Sequence, residues 1–354
     1  MKYLLSFKPL KNFFFGNERT FSEDYLAVSE YFPQNTQLLG AIRLFIAEQN
    51  KLMHVHKNGK YSNNREALKK LIGTAGSKNF ASNDDLGKIK NLSSMFIVND
   101  TLDDAYFKTP FDIEIGKKEV KSYELGQIND SYFLSNYDVK NSSTQQLGNA
   151  NFWKSYLHSK NISKEMIKPL ERVFRKHSQV GIGLDNKKTI EGAFYTKIDF
   201  NLNDGFLFGA VIELEEEIIS DGIIQIGAES SLFELKVTAL EKTKLKEHPI
   251  VSKLFVEETL GAKVVLLSDA MVDTKSMNIK FSLVPFYKKM AMILSKSYNE
   301  NTPNKNYNNF LGKSKTKRLM PMGSVVYLNE GQTIESKEIG AYKKMGFNQF
   351  ITVK

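Results

Sequence analysis

Residues Phe13–Gln49, FFFGNERTFSEDYLAVSEYFPQNTQLLGAIRLFIAEQ, decide how this chain is read. A short apolar strand, Tyr3–Phe7, leads into them through Pro9. Three phenylalanines and Gly16 come next, then a basic turn holding Arg19, then Phe32-Pro33. Pro33 ends any central strand, because its nitrogen carries no proton for a ladder, and Asn35 or Thr36 suits the N-cap of a helix. Leu38, Leu39, Ala41, Ile42, Phe45 and Ile46 then recur at helical spacing, with Arg43 off that face. Gly40 costs a helix interior about 1 kcal/mol against alanine, so a close backbone approach is expected there. Strand, aromatic loop and helix together open a ferredoxin-like unit.

The 354 residues suffice for two domains, and 41% hydrophobic residues with 12% aromatics support real cores. Net charge is +9 and the sequence pI is near 9.2, which suits a polyanionic partner or plain solubility. The absence of cysteine excludes disulfides, thiolate nucleophiles and zinc–cysteine sites, and fits a reducing, cytoplasmic setting. The N-terminus lacks the apolar run and cleavage site of a signal peptide, and no stretch of ~18 apolar residues implies a membrane.

From Lys51 to about Glu171 the chain is polar, with short helical patches at Arg65–Leu71 and Phe152–His158. A structureless loop of that length is uncommon in a compact domain, so residues from about 50 to 175 read as a largely helical insertion. Trp153, beside Phe152 and Tyr156, is either a base-stacking platform or a small satellite core. His54 and His56 share one strand face but have no third ligand nearby, and no metal site is assigned. Arg172 and His177 have the R-x-x-x-x-H spacing of one helical class of ribonucleases, but the next residues, Val180-Gly181-Ile182-Gly183, end the helix. Gly73-Thr74-Ala75-Gly76-Ser77-Lys78 only imitates a phosphate loop. No catalytic triad, cofactor site or small-molecule substrate is indicated, so the chain reads as a binder.

Period-two apolar residues on either side of Asn203-Asp204-Gly205 predict a β-hairpin over Ala193–Ile212. Both its faces are apolar, so it either projects toward RNA or a neighbouring subunit, or forms two central strands of the first sheet. Further strands are expected over Ile218–Ile226, Leu232–Val237, Lys263–Leu267, Ile279–Val284 and Gln349–Val353. Pro285 is expected to open an amphipathic helix with Met290, Ile293 and Leu294 on one side. The expected organisation is α+β: residues 1–255 form a ferredoxin-like (RRM-like) domain carrying the insertion, and 256–354 form a second.

Several blocks resemble one family. F-F-x-G-x-x-R-x-F at Phe13–Phe21 and F-P-x-x-T-x-L-x-G-A-I-R at Phe32–Arg43 look like the start of a RAMP protein, an RNA-binding subunit of CRISPR effector complexes. Gly181-Ile182-Gly183-Leu184-Asp185, then Glu191-Gly192-Ala193-Phe194-Tyr195, resemble the guide-RNA 5′-tag-binding subunit of type III-B (Cmr) complexes. Lys313–Arg318 running into Leu319-Met320-Pro321-Met322-Gly323-Ser324-Val325-Val326-Tyr327 is similar to that subunit's P-K-x-x-R-R-x-V-P-A-G-S-V-Y-F. Gly340–Asn348 looks like the glycine-rich loop of RAMP proteins, with G-F-N at Gly346-Phe347-Asn348 for the usual G-F-G. Where the family carries G-G-E-R, this chain keeps Gly227 and Glu229 but has Ala228 and Ser230.

The resemblance implies a non-catalytic subunit that grips the crRNA 5′ tag and links the large polymerase-like subunit to the backbone RAMP subunit, for antiviral defence. Two alternatives are a guide-RNA-processing endoribonuclease of the same superfamily and the equivalent tag-binding subunit of a type III-A complex. Lys and Arg exceed Asp and Glu by nine to three over 301–354, which gives +6 of the total +9. The tag is expected between the two ends of the chain. Its RNA-binding residues would be Arg19, Arg43, Lys187, Lys188, Lys313, Lys315, Lys317, Arg318, Lys343 and Lys344, with the amides of Gly346 and Phe347.

Overall fold

The computed structural model describes residues 1–353 except 17–24, 57–58, 62–63, 77–82, 117–118, 130, 136–145, 186–187, 228–230, 257–261, 272–278, 291–292, 295–311, 314–316 and 330–339. The opening strand, β1 (Lys2–Pro9), alternates so that Tyr3, Leu5 and Phe7 face one side and Leu4 the other. All four are buried, so β1 is a central strand with both faces covered. A short strand β2 (Tyr25–Val28) precedes helix α1 (Asn35–Gln49). The helix starts at Asn35 behind Gln34, whose amide donates to the Gln37 side chain at 3.2 Å. Asn35 and Thr36, either of which was expected as the cap, are both helical, and Asn35 donates from its side chain to Ser94 Oγ at 2.9 Å. Leu38, Leu39, Ile42, Phe45 and Ile46 are buried, as the spacing predicted. The close approach expected at Gly40 is absent: a Cβ there would meet nothing within 4 Å.

The polar region is not a largely helical insertion. It holds the helices α2 (Arg65–Ile72) and α3 (Ala150–Leu157), but mostly strands. Of these, β3 (Ile89–Leu92), β4 (Phe96–Asn99), β5 (Ala105–Lys108), β6 (Leu147–Gly148) and β7 (Ile167–Lys168) join the main sheet. Runs such as Phe-Ile-Val-Asn and Ala-Tyr-Phe-Lys suit a pleated surface, and a free sheet edge gave them partners that a local reading does not supply. Trp153 is fully buried against Phe107, Phe152 and Tyr156, which makes it core rather than a stacking platform.

The hairpin expected over Ala193–Ile212 does not form. After the short helix α4 (Leu170–Val173), strand β8 (Phe174–Asp185) pairs antiparallel with β9 (Lys188–Leu202), and β2 adds in parallel to β9. The chain turns at Asp204-Gly205, with Gly205 at φ 84°, and β10 (Phe206–Leu214) enters the main sheet between β1 and β4. Both edges of β10 are thus occupied, so the turn joins two sheets. Strands β11 (Gly222–Gln225) and β12 (Leu232–Ala239) complete the main sheet, whose order is β7-β6-β5-β4-β10-β1-β12-β11 with β3 beside β10.

The C-terminal part forms a second, four-stranded antiparallel sheet from β13 (Lys263–Leu266), β14 (Ile279–Leu283), β15 (Val325–Leu328) and β16 (Phe350–Val353), in the order β14-β15-β13-β16. The helix expected after Pro285 is replaced by two short strands. Lys288–Met290 pairs with Lys317–Leu319, and Ile293–Leu294 with Gly312–Lys313, so extended pairing overrode a helical spacing only a few residues long. A five-residue helix α5 (Gly340–Lys344) precedes β16.

One face of the main sheet packs on α1 and on Phe13 and Phe15, whose ring centroids are 4.7 Å apart. The other face, with Leu4, Phe96, Val98 and Val211, packs on α3 and on Val265, Val325, Ile351 and Val353 of the second sheet. The two sheets therefore share one core. At its edge the fully buried Asp112 accepts from the Tyr156 hydroxyl at 2.9 Å and pairs with Lys263 of β13 at 2.5 Å. Among the described residues no helix is long and apolar enough to cross a membrane.

Candidate RNA interface

A cleft of about 420 Å³ opens where the two ends of the chain meet. Phe32-Pro33 and Asn35 supply one wall, Ser94 and Met95 the floor ahead of β4, Lys108 the end of β5, and Asp269, Phe286, Tyr287, Lys288 and Met322 the opposite wall. Asp269 organises that wall. Its carboxylate accepts from Lys288 Nζ at 2.9 and 3.2 Å and from the Met322 amide at 2.9 Å, while its carbonyl accepts from the Asn348 amide at 3.2 Å. Asn348 sits in the left-handed region at φ 58°, the conformation that Asn tolerates in place of the family's glycine.

Ser94 ties the ends together. Its hydroxyl lies 3.0 Å from Asn35 Oδ1 and 3.2 Å from the Gly346 carbonyl, so the start of α1 and the loop after α5 share one hydrogen-bonding centre. The cleft's unusual member is Lys108. Its ammonium lies 5.4 Å from the Phe32 ring centroid, and no hydrogen bond to it is found among the described residues. Burial, then the charge of Lys288, pulls its pKa down to about 8, against the opposing pull of Asp269 and Glu30. Phe286 and Tyr287 remain about half exposed beside it, at 51% and 48%.

Arg19, Lys187 and Lys315 lie outside the described residues. Lys188 stands opposite Asp185 at the end of the β8–β9 pair, far along the chain from the cleft elements, and Lys313 stands opposite Ile293. Lys317 and Arg318 lie on the strand that ends at Leu319, a cleft residue. The Lys317 ammonium is 4.9 Å from the Tyr342 ring, and Arg318 is exposed. Lys343 is exposed on α5, and Lys344 pairs with Asp84 at 2.7 Å.

Three of the expected RNA contacts are engaged inside the chain. The Gly346 amide donates to Lys343 O and the Phe347 amide to Tyr342 O, the paired bonds of a glycine-terminated helix end, with Gly346 at φ 93°. Phe347 itself is buried. Arg43 donates to Ala75 O at 2.6 Å and Gly73 O at 2.9 Å, and burial lowers its pKa against the pull of Asp85. It braces the segment after α2, because a helix end leaves carbonyls that need donors. Lys108, Lys288, Phe286 and Tyr287 were missed, although Phe286-Tyr287-Lys288-Lys289 is an aromatic–basic run of the kind RNA surfaces use.

Histidine chemistry is sparse. His248 is buried, accepts from the Ile250 amide and bonds Ala105 O, and burial lowers its pKa to about 4, so it is a neutral core residue. His177 lies 3.2 Å through Nδ1 from the buried Asp199, which also accepts from Asn12 at 3.1 Å. Among the described residues no group of three potential metal ligands occurs.

A family model described as CRISPR-associated protein (Cas_Cmr3) matches residues 5–354. The chain belongs to that family. It is accordingly a Cmr-type subunit of a type III CRISPR effector, in line with the resemblance of its motifs. No curated protein matches it. Among solved structures it is similar to a chain of the type III-B Cmr-beta complex bound to cognate target RNA and AMPPnP (TM-score 0.53, 12% identity), covering 100% of this chain and 97% of that one. A second structure of Cmr-beta bound to cognate target RNA gives a TM-score of 0.52 at 12% identity, with the same coverage. At that identity the likeness speaks for the fold.

Proposed function

We propose that this chain is the non-catalytic subunit that holds the 5′ tag of the crRNA in a type III-B effector and links the large polymerase-like subunit to the backbone RAMP subunit. The observation that carries this reading is the Ser94-centred junction, where the F-P-x-x-T motif, the P-M-G-S-V-V-Y block and the loop after α5 converge on one cleft. Lys317 lies against Tyr342 of α5, beside the exposed Arg318 and near the exposed Lys343, and such cations would displace counterions from RNA phosphates. Each unit is read as ferredoxin-like, one over residues 1–255 and the other over 256–354. The supporting observation is strand order: β4-β10-β1-β12 and β14-β15-β13-β16 each adopt the antiparallel order 2-3-1-4.

Fluorescence anisotropy with a tag-bearing guide, at several salt concentrations, tests the interface. Replacing Lys313, Lys315 and Lys317 together is expected to shallow the slope of log K against log salt by roughly 2, at ~0.7 per single-strand contact. An unchanged slope means that the basic stretch faces water. The His177–Asp199 contact keeps the endoribonuclease reading in view. Incubation with repeat RNA without metal is expected to leave it intact. A 2′,3′-cyclic phosphate product abolished by His177→Ala would replace the scaffold reading with a catalytic one.

A further inference from the structure

We propose that the cleft at Lys108 is a nucleotide subsite, in which one phosphate of a single-stranded RNA rests on the Lys108 ammonium and the attached base packs against Phe286 and Tyr287. It rests on the RNA-binding reading above and names a contact within it. An ammonium drawn into a protein interior is costly unless an anion or acceptors compensate. Lys108 has the Phe32 ring 5.4 Å away and no hydrogen-bond acceptor among the described residues. The charged groups around it are Lys288, Asp269 and Glu30, and Asp269 is itself engaged by Lys288 Nζ and the Met322 amide. Two cations and two carboxylates thus meet at the cleft; Lys288 and Asp269 satisfy each other, and the Lys108 ammonium, which has no hydrogen bond among the described residues, is the group left to meet an incoming phosphodiester.

The aromatic wall points to the same ligand. Phe286 and Tyr287 are adjacent in sequence, about half exposed, and line the cleft with Lys108. Exposed aromatics beside cations are the elements that hold splayed bases of single-stranded RNA, through stacking and phosphate contact together. A volume of about 420 Å³ lies within the range of small-ligand sites and suits one nucleotide rather than a duplex.

The test uses the full chain with a labelled single-stranded RNA oligonucleotide. Lys108→Met is expected to weaken binding about tenfold, the effect of one good charge-assisted contact. Lys108→Arg is expected to keep the affinity, and its affinity stays flat between about pH 7 and pH 9, where that of the wild type falls as Lys108 loses its proton. Calorimetry near pH 8 in two buffers of different ionisation enthalpy gives a second readout. The wild type takes up a fraction of a proton on binding RNA, Lys108→Met does not, and Phe286→Ser with Tyr287→Ser weakens binding while retaining the uptake. If the wild type binds RNA and Lys108→Met matches it in affinity and proton uptake, the subsite is wrong and the RNA-binding reading stands. If the wild type binds no RNA at low salt, that reading fails and takes the subsite with it.

Discussion

Replacing Lys108 by methionine is expected to stabilise the free protein. The ammonium sits against Phe32 with no hydrogen-bond acceptor among the described residues, and its pKa falls from 10.5 to about 8. At about 1.4 kcal/mol for each pH unit, that fall corresponds to roughly 3 kcal/mol by which folding is disfavoured while both states carry the proton. Part of the Lys108 surface still meets the open cleft, which makes this an upper figure, and a gain of about 2 kcal/mol is expected. Methionine fills a similar volume and suits a mixed aromatic wall. The pH dependence fixes the cause. Below pH 8 the variant holds its full advantage. Between pH 8 and 10.5 the folded wild type gives up the proton that the unfolded chain retains, so wild-type stability climbs relative to the variant. Above 10.5 the difference vanishes. Urea unfolding of both proteins from about pH 7 to pH 10 measures this. A variant less stable than wild type at pH 7, or a gap that does not close with pH, would refute a buried, uncompensated charge.

Gly346→Ala is expected to destabilise by about 1–2 kcal/mol or more in thermal melts, because φ is 93° and a Cβ would lie 2.7 Å from both Leu92 O and Ser94 N. Gly40→Ala should do the reverse and raise stability by about 0.5–1 kcal/mol, since the added Cβ meets open space on α1. Asp112→Ala removes the acceptor of Tyr156 and Lys263 at the junction of the two sheets, and a loss of about 3–5 kcal/mol in urea unfolding is expected. His248, held neutral with a pKa near 4 against an ordinary 6.5, makes the fold acid-sensitive. The unfolded chain binds its proton first, so stability falls as pH drops from 6.5 toward 4, by up to about 3 kcal/mol, and His248→Gln should flatten that part of the profile.

Local patterning alone determined a good deal of this protein. The alternation of β1, the 3.6-residue spacing of α1 and the apolar strands of the C-terminal sheet are legible because each pattern is complete within one short segment. The family motifs were legible too, since residue identity and order carry them. Partner choice was not. Phe206–Leu214 reads as half of a hairpin, yet β1 and β4 occupy both its edges, and the region 50–175 gives strands to a sheet whose free edge lies far away in the sequence. Strand pairing is a long-range bond, and no local periodicity encodes which edge is vacant. The same holds for the candidate site. Arg43 and the amides of Gly346 and Phe347 look available in sequence, but the three-dimensional chain gives them carbonyl partners. Lys108 looks like one lysine among many, and only the packing of Phe32, Asp269 and Lys288 around the end of β5 strips part of its water and makes its charge consequential.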